Sequence, residues 1–193
     1  MAKPEVYVSI DIEADGPIPG LYSMLSVGAA AFVDGQVKSV FEANLKELEG
    51  ARQHPETMKF WAKNQEAWET ARQTLQDPAD VMPEFFLWVE NLKEFGIPIP
   101  VMYPQSFDGP FISYYFHRFV GSNPFGIRGL DIKSYMMATL GLPYGAIWKR
   151  NLPKHWFDPS TPHTHKALDD ALEQGKIFMH VLEQNNQLHK GNK

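Results

Sequence analysis

Cysteine is absent from all 193 residues, which excludes disulfide frameworks, thiolate metal sites and cysteine nucleophiles. Long apolar runs are absent too, since no uncharged stretch approaches the roughly 18 residues that a membrane span needs. Met1-Ala2-Lys3-Pro4-Glu5 leads straight into a short apolar strand without a signal-type segment. The expectation is a cytoplasmic protein with no membrane partner. An excess of positive charge is also missing. Eighteen Lys and Arg against 23 Asp and Glu give 18 − 23 = −5, the wrong sign for a broad basic face that coats nucleic acid. What remains is ordinary for a globular chain, with 44% hydrophobic and 21% charged residues. The length suits one domain over residues 1–193.

Hydrophobic periodicity places the elements. In Glu5–Glu13, Val6, Val8, Ile10 and Ile12 alternate with Tyr7, Ser9, Asp11 and Glu13, the pattern of a strand. Tyr22–Val33 and Gln36–Leu45 read as strands joined at Asp34-Gly35, a strong hairpin signal. Gln53–Leu75 has helical spacing at Phe60, Trp61 and Trp68, and Asp80–Phe95 is a clearer amphipathic helix stopped by Gly96. Ile97–Tyr103 reads as a buried strand in spite of Pro98 and Pro100. Pro110 is expected to open a helix that ends at Gly121. A short strand at Arg128–Ile132 and a helix at Lys133–Leu140 follow, with Asp131 as the cap of that helix. Gly141–Thr164 is irregular, His165 leads into a last helix, and residues 185–193 form a frayed polar tail. This order predicts an α/β fold, a mixed sheet with helices on both faces.

Four acidic positions stand out. Asp11 and Glu13 share one face of the first strand, where two close carboxylates are costly unless a cation lies between them. Alone, the pair also fits a solvated strand end. Asp108 follows a core strand and could serve merely as a helix N-cap, yet sites of α/β folds gather at the carboxyl ends of strands. In His163-Thr-His165-Lys-Ala-Leu-Asp169-Asp170, Asp169 shares a polar, solvated face with Glu173, Lys176 and His180. Asp170 flanks the buried stripe of Ile177 and Val181, where an unpaired carboxylate needs a partner. His165 lies beside it, with His163 as the alternative histidine. Together these groups offer hard oxygen ligands suited to Mg²⁺ or Mn²⁺ and a base that titrates near neutrality, the equipment of two-metal phosphodiester hydrolysis. Two such cations would bring the net charge from −5 to about −1.

In these stretches the chain resembles the DEDDh 3′→5′ exonucleases, relatives of proofreading subunits, ribonuclease T and oligoribonuclease. Ile10-Asp11-Ile12-Glu13 resembles the first motif, Ser106-Phe107-Asp108 the second, and His165-Lys-Ala-Leu-Asp169-Asp170-Ala171 the third. Leu25-Ser-Val-Gly-Ala29 is similar to the family's second strand, and the likeness runs from Val6 to Leu182. It implies a ribonuclease-H-like, five-stranded mixed sheet and a 3′→5′ exonuclease that releases nucleoside 5′-monophosphates. Asp11, Glu13, Asp108 and Asp170 would be the metal ligands of two Mg²⁺ or Mn²⁺ ions, and His165 the general base. Glu56-Thr57, Phe60-Trp61 and Gln65 resemble a bacterial exoribonuclease subgroup, which favours RNA slightly over DNA as the single-stranded 3′ end. Relatives also suggest a homodimer. The chain departs from the family at Ala14-Asp15-Gly16, where a hydroxyl residue is usual, and at Tyr103-Pro104-Gln105, where an asparagine is usual. Lys149, Arg150, Lys154 and Lys166, set against the single acid Asp158, read as a basic rim for phosphates or as a solvated loop, and Trp61, Phe107 and Trp148 as stacking surfaces for bases or as core. The rival readings are a module on the same fold that holds a nucleic-acid end without cutting it, and a related metal-dependent endonuclease.

Overall fold

The computed structural model describes residues 3–160 and 163–190. Its sheet has five strands in the order β3-β2-β1-β4-β5, namely β1 (Glu5–Ala14), β2 (Met24–Val33), β3 (Gln36–Asn44), β4 (Ile97–Met102) and β5 (Leu130–Asp131). β2 is antiparallel to β1 and β3, whereas β1, β4 and β5 run parallel. Asp34 and Gly35 close the β2–β3 hairpin with φ of 50° and 76°, the paired positive angles of a two-residue turn matched to strand twist.

Pro98 and Pro100 are tolerated in β4 for a geometric reason. Ile97 donates its N–H to the Pro4 carbonyl beside β1, so alternation turns positions 98 and 100 the other way. On that side β5 pairs only with Val101 and Met102, and the two missing donors have nothing to bond.

Helices α3 (Pro78–Asn91) and α4 (Gln105–Phe119) cover one face. Val6, Val8, Ile10 and Ile12 of β1 are buried there with Phe85, Val89, Phe111 and Tyr115. The odd-numbered face of β1 meets α5 (Ile132–Leu140) and α6 (Ala167–Lys190), and Tyr7 touches Phe178 edge-on at 5.2 Å. Helix α6 lies unusually close to the sheet. A methyl group placed on Gly28 would fall 2.2 Å from the Leu168 backbone nitrogen, and one on Gly175 would fall 2.4 Å from the Phe32 ring. Both glycines are therefore required by close approach. No helix of the described residues is long and apolar enough to cross a membrane.

Three local expectations need correction. Helix α4 begins at Gln105, with Pro104 as its extended N-cap. Asp108 thus lies in the first turn and Pro110 within the helix, where it forgoes only the bond to Ser106. The helical stretch expected over residues 53–75 is two short helices, α1 (Pro55–Trp61) and α2 (Gln65–Ala71). Helix α6 runs on to Lys190 rather than fraying at Asn185, because Asn185 donates to the Tyr135 hydroxyl of α5 at 2.8 Å. The remaining tail, residues 191–193, lies outside the described residues.

Candidate active site

Asp11 and Glu13 project from the carboxyl end of β1, and Asp170 meets them from the first turn of α6. One oxygen from each of the three lies within 4.8 Å of the others. The tight seat of α6, which Gly28 of β2 and its own Gly175 allow, sets this approach, and Gln174 secures it by donating to the Ile10 carbonyl at 2.7 Å. Asp108 comes in from α4. Its Oδ1 accepts the Ile12 N–H at 3.3 Å, while its buried Oδ2 has no hydrogen-bond partner among the described residues.

Burial holds the Asp11 carboxyl well above its ordinary range, and Asp108, Glu13 and Asp170 add repulsion. Glu13 is raised likewise by burial, then by Asp170 and Asp108. Burial pushes Asp108 up to about 8 against the pull of the Ile12 amide. Acids gathered this way, with one oxygen left unpartnered, fit divalent cations bound through hard oxygen ligands.

Asp170 is oriented by two consecutive amides, Thr164 N–H to Oδ1 at 2.8 Å and His165 N–H to Oδ2 at 3.1 Å. The bend that presents both amides places His165 at φ 57°, a left-handed conformation uncommon for a residue with a side chain. His165 stacks edge-on against Phe60 at 5.1 Å and against His163 at 4.4 Å. Burial lowers its pKa, and the neighbouring His163 adds to the effect, so the uncharged imidazole is favoured. His163 behaves in the opposite way. Its Nδ1 lies 2.9 Å from Asp170 Oδ2 and 3.5 Å from Glu173 Oε2, and these two carboxylates raise its pKa to about 9.

Beside the carboxylates opens a cavity of about 650 Å³, bordered by Asp11, Tyr103, Lys133, Tyr144, Trp148, Lys149, Arg150 and Glu173. Lys149 is paired with Glu173. The Lys133 ammonium sits over the Tyr144 ring at 4.2 Å and the Trp148 ring at 4.5 Å.

Residues 6–182 match the family described as 3′-5′ exoribonuclease Rv2179c-like domain. The chain belongs to this family. The 3′-5′ DNA exonuclease Cap18 of Escherichia coli is 36% identical to it over 179 residues, 90% of each chain. Among solved structures, the nuclease domain of 3′hExo, a DEDDh family member bound to rAMP, superposes with a TM-score of 0.66 at 12% identity over 92% of both chains. The Mg²⁺- and Mn²⁺-bound form of S. pombe Pop2p superposes with a TM-score of 0.60 at 14% identity, covering 91% of this chain and 82% of the other. This protein is thus a 3′-5′ exonuclease on the ribonuclease-H-like fold of the DEDDh enzymes.

Not every residue singled out in the sequence of this exonuclease reaches the site. Lys149 and Arg150 border the cavity, but the Lys166 ammonium turns to Glu66 of α2 at 3.0 Å. Phe107 is partly exposed and leans on Phe111 at 5.5 Å. Trp61, expected as a stacking surface, is 2% exposed and donates its indole N–H to the Ala14 carbonyl at 3.0 Å. It is a core residue, and its neighbour Phe60 is the exposed ring that touches His165. Glu173 was assigned to a solvated face with Asp169, yet it is buried and faces Lys149 and His163. Three residues past Asp170, one helical turn on, it shares that side of α6, and this spacing was the available signal. Asp15, at the family departure, is buried and accepts the Ser23 N–H at 2.6 Å, a structural role.

Proposed function

We propose that this exonuclease, acting as one domain, removes nucleotides from the 3′ end of single-stranded nucleic acid and releases nucleoside 5′-monophosphates. Two Mg²⁺ or Mn²⁺ ions serve as its cofactors. The observation that carries this reading is the meeting of Asp11, Glu13, Asp170 and Asp108 beside His165. The four carboxylates hold the cations, which when bound supply a more acidic water and charge neutralisation at the phosphate. His165 accepts the proton of the attacking water, a task that needs an uncharged imidazole. The amides of Thr164 and His165 fix Asp170 in place. Lys149 and Arg150 face the phosphates of the entering strand, and Trp148, half exposed on the same wall, supplies a surface for a base.

Aromatic faces and ammonium groups read base planes and phosphates, which RNA and DNA share, so both strands enter. RNA goes ahead of DNA, in keeping with the exoribonuclease family, even though the relative Cap18 is described as a DNA exonuclease. The test is a ladder assay with Mn²⁺ and 5′-end-labelled RNA and DNA oligonucleotides. Stepwise shortening from the 3′ end, stopped by a 3′-phosphate and indifferent to a 5′ block, is expected. Cleavage of a circular single strand would favour the endonuclease, and retention without cleavage the binding module.

A further inference from the structure

His163 is left unused by this reading, although its ring touches Asp170. The structure assigns it, together with His165 and Asp170, to a second metal centre, a Zn²⁺ site whose occupation turns the exonuclease off. The inhibitory half of this inference rests on the roles proposed for His165 and Asp170; the binding half does not.

The donors differ in kind from the carboxylate set. One ligand atom each of His163, His165 and Asp170 lies within 4.8 Å of the others, giving two imidazole nitrogens and one oxygen once zinc displaces to solvent the proton that His163 shares with Asp170. Imidazole suits zinc, whereas carboxylate oxygens suit magnesium and manganese. Two histidines and one carboxylate with a fourth place for water is a common zinc arrangement. The backbone arranges the convergence. The left-handed φ of 57° at His165 folds the chain over Asp170, so that the two rings, separated by only one residue, meet at 4.4 Å and 75°. His163 Nδ1 stands 2.9 Å from Asp170 Oδ2, against about 3.3 Å between two ligands around tetrahedral zinc. A small rotation of the His163 ring, whose side chain is 44% exposed, opens the space and leaves the site in reach of solvent. Asp170 is common to both centres. Zinc here takes an oxygen from the catalytic cations and the ring nitrogen of His165 from the proton.

Full-length protein stripped with EDTA is titrated with Zn²⁺ against a chromophoric chelator, comparing wild type, His163→Asn, His163→Gln and Asp11→Asn. Loss of one ligand should weaken zinc binding about tenfold or more in both His163 variants, while Asp11→Asn keeps it. In the Mg²⁺-driven ladder assay, with each protein measured against its own zinc-free rate, the zinc concentration for half inhibition should rise by the same factor in His163→Asn. The inference is overturned if both His163 variants bind zinc as wild type does and Asp11→Asn does not, which would place zinc among the carboxylates. Should the wild type degrade nothing with Mg²⁺ or Mn²⁺, the functional reading fails while the chelator titration still decides the site.

Discussion

Asp108 carries a carboxyl group into the protein interior with one oxygen hydrogen-bonded and the other without a partner among the described residues. Such a group costs stability in order to be ready for a cation. Above pH 8, where the buried acid is charged, Asp108→Asn should therefore raise the melting temperature of EDTA-treated protein, relieving about 1–3 kcal/mol, and it should end Mn²⁺-dependent turnover. A lower melting temperature would mean that the carboxylate is stabilised by the fold itself. His165 poses a separate question, since its ring lies outside the all-oxygen cluster. His165→Asn should leave Mn²⁺ affinity near wild type and slow the reaction by roughly 10²–10⁴-fold, measured by calorimetric titration beside single-turnover kinetics. Because burial lowers the pKa of His165, the wild-type rate should persist to a pH below that at which an ordinary imidazole protonates. Water on a cation titrates too, so the acid limb must be compared with that of the variant.

Helix α6 connects fold to chemistry, because its first turn holds Asp170 and its seat depends on two glycines. Gly28→Ala would push the Leu168 backbone away from β2. The expected cost is about 1–3 kcal/mol, with a fall in kcat/KM larger than the stability loss explains, since Asp170 moves with the helix. Equal activity per folded molecule would show that the helix shifts without carrying Asp170 away. The elements written in local pattern were legible in the sequence. The alternation in β1, the Asp34-Gly35 turn and the spacing from His165 to Asp170 each need only a few neighbouring residues. What stayed hidden depends on distant packing. Pro104, not Pro110, marks the start of α4, because the extended backbone leaving β4 settles where the helix begins. Trp61 is buried because its indole bonds the end of β1, 47 residues away. Glu173 passed for a solvated residue because the cations facing it, Lys149 and His163, lie in an irregular segment with no periodic signal.

At the scale of the whole molecule, buried acids are gathered in the site, and stability should depend on pH accordingly. Burial raises Asp108 to about 8. A carboxyl raised in the folded state contributes stability that is complete below its unfolded value of about 4 and is lost as pH rises through the folded value. His163, raised to about 9 by Asp170 and Glu173, acts in the same sense, its contribution present below about 6.5 and lost as pH rises through the folded value. The metal-free protein should therefore melt at progressively lower temperature from pH 6 to pH 9. Mn²⁺, which competes with these protons, should raise the melting temperature more at the alkaline end. Calorimetric scans with EDTA and with Mn²⁺ check this, and a Mn²⁺ increment that shrinks as pH rises would contradict it. Pro98 and Pro100 bear on a different hazard, self-association. A foreign strand approaching the open side of β4 would find no amide donors at positions 98 and 100, so that margin cannot template cross-β growth. The same two residues that count against a strand in the sequence act as gatekeepers that keep a half-covered sheet from polymerising.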